Sequence, residues 1–144
     1  MITGKFPALR LRRSRKSDWS RRLVEENNLT PNDFILPIFL IDGKNIRQPI
    51  KSMPGVYRYS LDKINQVIDR AIKIGLPMIA LFPYTHQNKK NLLGSEALNE
   101  NNLVCKALKQ IKKKYKNKIG IMCDVALDPY TSKGHDGLIK ANKK

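Results

Sequence analysis

The stretch "SLDKINQVIDRAIKIGLPMIALFP", residues 60–83, decides the fold of this 144-residue chain. Its first half places Leu61, Ile64, Val67, Ile68, Ala71 and Ile72 at helical spacing, so one face of a helix is apolar. Ser60 has the chemistry of an N-cap, Asp62 suits the positive end of a helix, and Gly75 with Pro77 stops it, which predicts a helix over Ser60–Ile74. The second half, "PMIALFP", is apolar at every position rather than at alternate ones, as expected of a strand buried on both faces. A helix that ends in glycine and hands on to such a strand is a unit of a parallel sheet covered by helices.

The same signals recur on either side. Upstream, "FILPIFLI" (34–41) is a β-rich apolar run fenced by "TPND" and "DGKN", although Pro37 removes one ladder donor. Between it and the helix, "RQPIKSMPGVYRYS" reads as an irregular excursion long enough for a small hairpin of its own. Downstream, "GSEALNENN" leads into a second helix whose Leu103, Val104, Ala107, Leu108 and Ile111 form one stripe, and "KIGIMCDVAL" makes a third strand. Strands near 34–41, 77–82 and 119–126, alternating with amphipathic helices, predict an α/β fold with a parallel sheet. Three strands do not close a (β/α)8 barrel, which typically takes about 250 residues. They make either a small open sheet or the first part of something larger.

Composition narrows the class. With 41% hydrophobic and 28% charged residues the chain is an ordinary globular one. It contains no run of 18 apolar residues and no apolar segment after its basic N-terminus, so neither a membrane span nor a secretory signal is expected, and the cytosol is the expected location. Cys105 and Cys123 lack CxxC spacing and read as buried free thiols. The formal charge of +16 gathers in "KFPALRLRRSRKSDWSRR" and "KALKQIKKKYKNK". The second cluster lies on the outer face of an amphipathic helix, and the abundance of Lys, Asn and Ile is that of an AT-rich gene. No binding motif accompanies the charge, so a nucleic-acid partner is not expected.

Polar groups collect where α/β folds hold ligands, at the C-terminal ends of strands: "YTHQ" follows the second strand and "DVALDPYTSKGHDG" (124–137) the third. The latter packs Asp124, Asp128, Tyr130, His135 and Asp136, all able to bind metal or move protons, into fourteen residues. Loop aspartates also serve as turn caps.

These motifs have a family pattern. "RLRRSR", "FILPIFLIDG", "SMPGVYRYS", "ALFP", "GSEALN" and "DVALDPYTSKGHDG" occur in the order and at the approximate spacing of porphobilinogen synthase, also called delta-aminolevulinic acid dehydratase, and the resemblance runs from about Phe6 to Leu138. It implies the N-terminal portion of a (β/α)8 barrel enzyme, a lyase that condenses two molecules of 5-aminolevulinate into porphobilinogen in tetrapyrrole and haem synthesis. Residues 1–30 resemble the family's arm, which embraces a neighbouring subunit in a homo-octamer; residues 31–144 would form the partial barrel. By this resemblance Asp124 matches the active-site aspartate and is a candidate for charge stabilisation or proton transfer. Zinc-dependent members place three cysteines at C-x-C-x7-C in this segment, whereas here the matching positions are Ala126, Asp128 and Asp136. The resemblance is therefore to the zinc-independent, aspartate-rich branch, with Asp128 and Asp136 as weak metal ligands for Mg²⁺ (or K⁺ in support) and zinc not expected. Lys133 stands where the family usually has histidine.

The family's Schiff-base lysines, and the groups that hold substrate carboxylates, lie on later strands than this chain contains. The expectation is a fragment inactive alone, its tail "LIKANKK" lacking the continuation that usually follows "GHDG". Half of a split enzyme, or a retained non-catalytic basic module binding a partner or nucleic acid, are the alternatives.

Overall fold

The computed structural model describes residues 4–10 and 12–138. Close contacts divide the chain into two units, residues 1–30 and 31–144. In the first, a 3-10 turn at Arg13–Arg15 precedes a short helix, α1 (Asp18–Leu23). The Ser20 hydroxyl bonds the carbonyls of Ser17 at 2.8 Å and Ser14 at 2.9 Å, which ties the helix to the turn before it. Asp18 sits at the positive helix end and pairs with Arg21 and Arg22 at 3.4 and 3.3 Å. Trp19 and Leu23 stay 65% and 78% exposed.

The second unit holds β1 (Ile35–Ile41), β2 (Arg47–Pro49), β3 (Tyr57–Tyr59), α2 (Ile64–Lys73), β4 (Met78–Tyr84), α3 (Leu103–Tyr115) and β5 (Gly120–Cys123). They form one sheet in the order β2-β3-β1-β4-β5. β1, β4 and β5 run parallel, with Leu36 opposite Ile79, Phe39 opposite Phe82 and Leu81 opposite Cys123. The excursion after β1 is the expected hairpin, β2 antiparallel to β3, with Gln48 opposite Arg58. It also does something the sequence reading did not foresee: β3 adds to β1 in parallel, Phe39 opposite Arg58 and Leu40 opposite Tyr59. Among the described residues the sheet therefore has five strands. Pro37 lies outside the two-residue pairing with β3 and opposite Ala80 in the β1–β4 ladder, so β1 remains a strand in spite of the proline.

One face of the sheet carries the core. Ile38 and Leu40 of β1 and Ile79 and Leu81 of β4 meet Ile64, Ile68 and Ala71 of α2 and Ala107, Ile111 and Tyr115 of α3. Each large apolar side chain buried there contributes about 1.5–3 kcal/mol. Polar ties fix the helices to each other: Gln110 Nε2 donates to the Leu61 carbonyl at 2.8 Å, and the Tyr115 hydroxyl to Asp69 Oδ1 at 2.8 Å. Asn102 caps α3 by accepting the Cys105 N–H at 2.9 Å. Gly75 ends α2 at φ +82°, a conformation costly for any residue with a Cβ.

Three local expectations change. The first helix starts at Ile64, not Ser60, because residues 61–63 form a turn. Ser60 is buried and occupied elsewhere: its hydroxyl donates to Asp62 at 2.7 Å and accepts the Ile46 N–H at 2.9 Å. Asp62 in turn accepts the Asn45 N–H at 3.0 Å instead of capping the helix. The third strand ends at Cys123, short of the expected 126, since its last partner on β4 is Leu81 and no described residue pairs with its other edge. Cys105 and Cys123 are free as expected, but half-buried rather than buried. No helix among the described residues is long and apolar enough to cross a membrane.

Candidate functional site

At the C-terminal ends of β1, β4 and β5 the chain places three loops. Asp42 follows β1, residues 85–102 follow β4, and residues 124–137 follow β5. Parallel strands present their loops together at this end, which is why α/β folds bind ligands there.

Backbone pairing joins the second and third loops. Asn91 forms a parallel bridge with Thr131, its N–H bonding the Tyr130 carbonyl at 3.3 Å and its carbonyl accepting the Ser132 N–H at 2.9 Å. The Asn91 side chain also accepts the N–H groups of Leu93 and Ser95 at 3.0 and 3.1 Å and bonds the Ser95 hydroxyl. Gly94 has φ +64°, and a Cβ added there would lie 3.3 Å from the Thr131 methyl, so a side chain would be both strained and crowded. A longer tie reaches β1: Lys89 Nζ lies 2.7 Å from Asp42 and 4.0 Å from Glu96. The hydrogen bond that Lys89 donates to the Asp42 carboxylate raises the pKa of its ammonium above the ordinary lysine value, so this lysine stays protonated at neutral pH.

The residues singled out in the last loop fall into different roles. Asp124 is exposed, one residue beyond β5, and makes no hydrogen bond or ion pair among the described residues. Asp136 folds back on the loop: its Oδ1 accepts the N–H groups of Leu127 and Asp128, each at 2.8 Å. That contact brings the two metal-aligned aspartates together, with one carboxylate oxygen already engaged. Among the described residues no group of three His, Cys, Asp or Glu side chains is placed to hold a metal. Tyr130 is buried, and burial raises its hydroxyl pKa. His135 has its backbone N–H and carbonyl both bonded to the Thr131 hydroxyl, at 3.1 and 2.9 Å. With Lys133, Thr131 and Leu92 it lines a hollow of about 140 Å³.

Arg58 escaped the sequence reading, whereas Tyr84 opens the "YTHQ" stretch placed at the strand ends. Arg58 and Tyr84 lie on the sheet face opposite the helices, the guanidinium 4.5 Å above the ring, although they are 26 residues apart in sequence and two strands apart in the sheet. The alternation of "YRY" could have assigned Arg58 to one face, but only the register shows which.

The family model for delta-aminolevulinic acid dehydratase matches residues 8–144. The delta-aminolevulinic acid dehydratase of Bradyrhizobium diazoefficiens is 57% identical over 132 residues, 92% of this chain and 37% of the relative. That of Chlamydia pneumoniae is 40% identical over 129 residues, 90% of this chain and 39% of the relative. Among solved structures, the enzyme of Toxoplasma gondii ME49 in complex with the reaction product porphobilinogen superposes with a TM-score of 0.81 at 34% identity, covering 94% of this chain and 38% of that one. The chain thus spans somewhat under two fifths of the length of these relatives. Its β1-α2, β4-α3 and β5 are the opening units of a (β/α)8 barrel, and the chain belongs to the delta-aminolevulinic acid dehydratase family, as the N-terminal portion of a porphobilinogen synthase.

Proposed function

We propose that this chain supplies the first strands and the aspartate loop of a porphobilinogen synthase barrel, and that it serves the condensation of two 5-aminolevulinate molecules only when further strands complete the sheet. The observation that carries this reading is the sheet itself. β5 is an end strand whose outer edge has no partner among the described residues, and Met122 on it remains 43% exposed. On the face opposite the helices Phe39 and Phe82 stack 5.7 Å apart and stay half-buried, while Pro37 and Tyr84 are exposed. In a barrel such a face packs against the side chains of the other strands. That edge and face favour one second reading, in which a separate polypeptide supplies the missing strands. The exposed apolar side chains of α1 suit residues 1–30 to subunit contacts in a homo-oligomer.

Within a completed barrel, Asp124 is the carboxylate that stabilises positive charge or moves a proton beside the substrate amine. Alone it acts in water, where its electrostatic help is small. The Schiff-base nucleophile comes from outside this chain. Lys89, the lysine best placed at the strand ends, is ion-paired and protonated, hence a poor nucleophile. Two carboxylates, one partly spent on backbone N–H groups, suit a hydrated Mg²⁺ rather than a closed zinc site, and no step of the reaction is assigned to a metal.

The test is to incubate the chain with 5-aminolevulinate, reduce with borohydride and weigh the products, with and without a polypeptide corresponding to the remainder of the Bradyrhizobium relative. No adduct is expected on this chain in either case. Porphobilinogen and an adduct on the added polypeptide are expected together. A stoichiometric adduct on one lysine of this chain alone, lost when that lysine is replaced by alanine, overturns the reading.

A further inference from the structure

We propose that the outer face of α3 is a docking surface for the phosphate backbone of a nucleic-acid duplex, an interaction separate from the condensation and independent of the reading above. Between Leu103 and Ile119 the chain has seven lysines and no Asp or Glu. All seven lysines are exposed. Leu103, Ala107, Ile111 and Tyr115 turn inward to the core, so on a helix of 3.6 residues per turn Lys106, Lys109, Lys112 and Lys113 fall on the opposite side. Helices form the outer ring of a (β/α)8 barrel, so this face stays on the outside when further strands are added.

Counter-charge is scarce there. Lys114 pairs with Asp69 of α2 at 3.7 Å and lies 4.9 Å over the Tyr115 ring. Among the described residues no other lysine of α3 has an ion pair, and Lys109 reaches only the backbone carbonyl of Glu100, at 3.4 Å. Asp69 is the one acid of α2 and also accepts the Tyr115 hydroxyl, while Arg70 and Lys73 on the same helix are exposed and add positive charge. Helix stability does not explain the arrangement. Cations in the last turn, Lys112 to Lys114, suit the negative end of α3, but Lys106 lies near the positive end and gains nothing from it. Lys109 has like-charged neighbours three or four residues away in Lys106, Lys112 and Lys113, which weakens a helix. A polyanion laid along the face removes that repulsion.

The make-up of the face selects the occupant. No large apolar side chain of α3 is exposed, so it offers a bilayer nothing to insert and an unpaired strand nothing to stack on. What remains is charge at regular spacing. The row Lys106, Lys109, Lys113 runs about 10 Å, the span of about three successive phosphates along one strand of a duplex. The sequence carries no recognition motif, and contacts to phosphate require none, because they read charge and position rather than bases.

The 144-residue chain is titrated with a short DNA duplex by NMR, and its affinity is followed by fluorescence anisotropy across a salt series. Saturable shifts are expected at the α3 amides, with equal affinity for unrelated sequences and a dissociation constant of about 10⁻⁴–10⁻⁶ M at physiological salt. Replacing Lys106, Lys109, Lys112 and Lys113 by glutamine should weaken binding by about tenfold or more and reduce the slope of log affinity against log salt by about 3–4. Lys109→Gln alone should reduce that slope by about 1 and serves if the fourfold variant misfolds. Glutamine at Arg10, Arg12, Arg13 and Arg15 removes the same charge from the arm and should leave the α3 shifts in place. Wild-type affinity in the α3 variants, shifts confined to residues 1–30, or tighter binding to an unpaired strand or to phosphatidylserine vesicles than to the duplex overturns the proposal.

Discussion

The carboxylate of Asp136 accepts the backbone N–H of Asp128 at 2.8 Å, so one of the two aspartates aligned with metal positions is spent on shaping the loop that carries the other. Two consequences can be measured. Asp136→Ala should loosen residues 127–136 at a cost of about 1–2 kcal/mol, the usual worth of hydrogen bonds to a charged acceptor after water replaces part of them. Calorimetry should show Mg²⁺ binding no tighter than about 10⁻⁴ M, and zinc binding no tighter than that. Stoichiometric, tight zinc binding that persists in Asp128→Ala/Asp136→Ala would place the ligands elsewhere.

Tyr115 joins α3 to α2 through its hydroxyl, 2.8 Å from Asp69, while its ring is buried in the core. Tyr115→Phe keeps the ring and should cost about 0.5–1.5 kcal/mol; Leu81→Ala, which opens a cavity where the sheet meets the helices, should cost about 2–5 kcal/mol. Urea unfolding midpoints at neutral pH separate the two.

The same tyrosine governs the alkaline limb of stability. Burial raises the Tyr115 hydroxyl above its ordinary value. A raised group contributes fully below the unfolded pKa, about 10 for tyrosine, and its contribution disappears as pH climbs through the folded value. Stability should therefore fall above about pH 10, and less steeply in Tyr115→Phe. Tyr130, raised by burial as well, should preserve part of the slope in that variant.

Asp62 works in the opposite direction. Its hydrogen bond from Ser60, then that from the Asn45 N–H, lowers its pKa. A lowered carboxylate stabilises above its unfolded pKa, about 3.9, and the effect is lost as pH falls through the folded value. Asp62→Asn should thus flatten the loss of stability below about pH 4 while leaving the alkaline limb unchanged. Thermal melts from pH 2 to 11 would read both limbs in one series.

The free edge of β5 predicts self-association. Gly120–Cys123 has no charge and no proline to block pairing with another strand, and Met122 within it is exposed. Light scattering should increase with concentration despite the net charge of +16, and Met122→Lys should suppress it. A wild-type chain that remains a monodisperse monomer with one sharp unfolding transition at high concentration counts against an open edge.

Much of this architecture was legible before any coordinates. The apolar stripe of Ile64, Ile68 and Ala71 has only one stable use, burial of a helix face, and "PMIALFP" only one, a strand covered on both sides. Periodicity is a local property, so helices and parallel strands followed from neighbouring residues alone. The excursion at 47–60 was legible as a hairpin for the same reason, but its parallel seat on β1 was not, since no local pattern specifies a partner strand.

Where tertiary structure decided, it did so because polar groups choose partners by proximity. Ser60 has the chemistry of a helix cap, yet burial beside Ile46 and Asp62 gave it better acceptors and moved the helix start to Ile64. Asp136 and Asp128 matched metal positions in sequence, while the folded loop turned one into a backbone acceptor. Arg58 and Tyr84 meet across β1 only because the register aligns Phe39 with both Arg58 and Phe82. The elements are set by short-range patterns of apolar residues, and the site by distances between strands, which no single segment of the sequence contains.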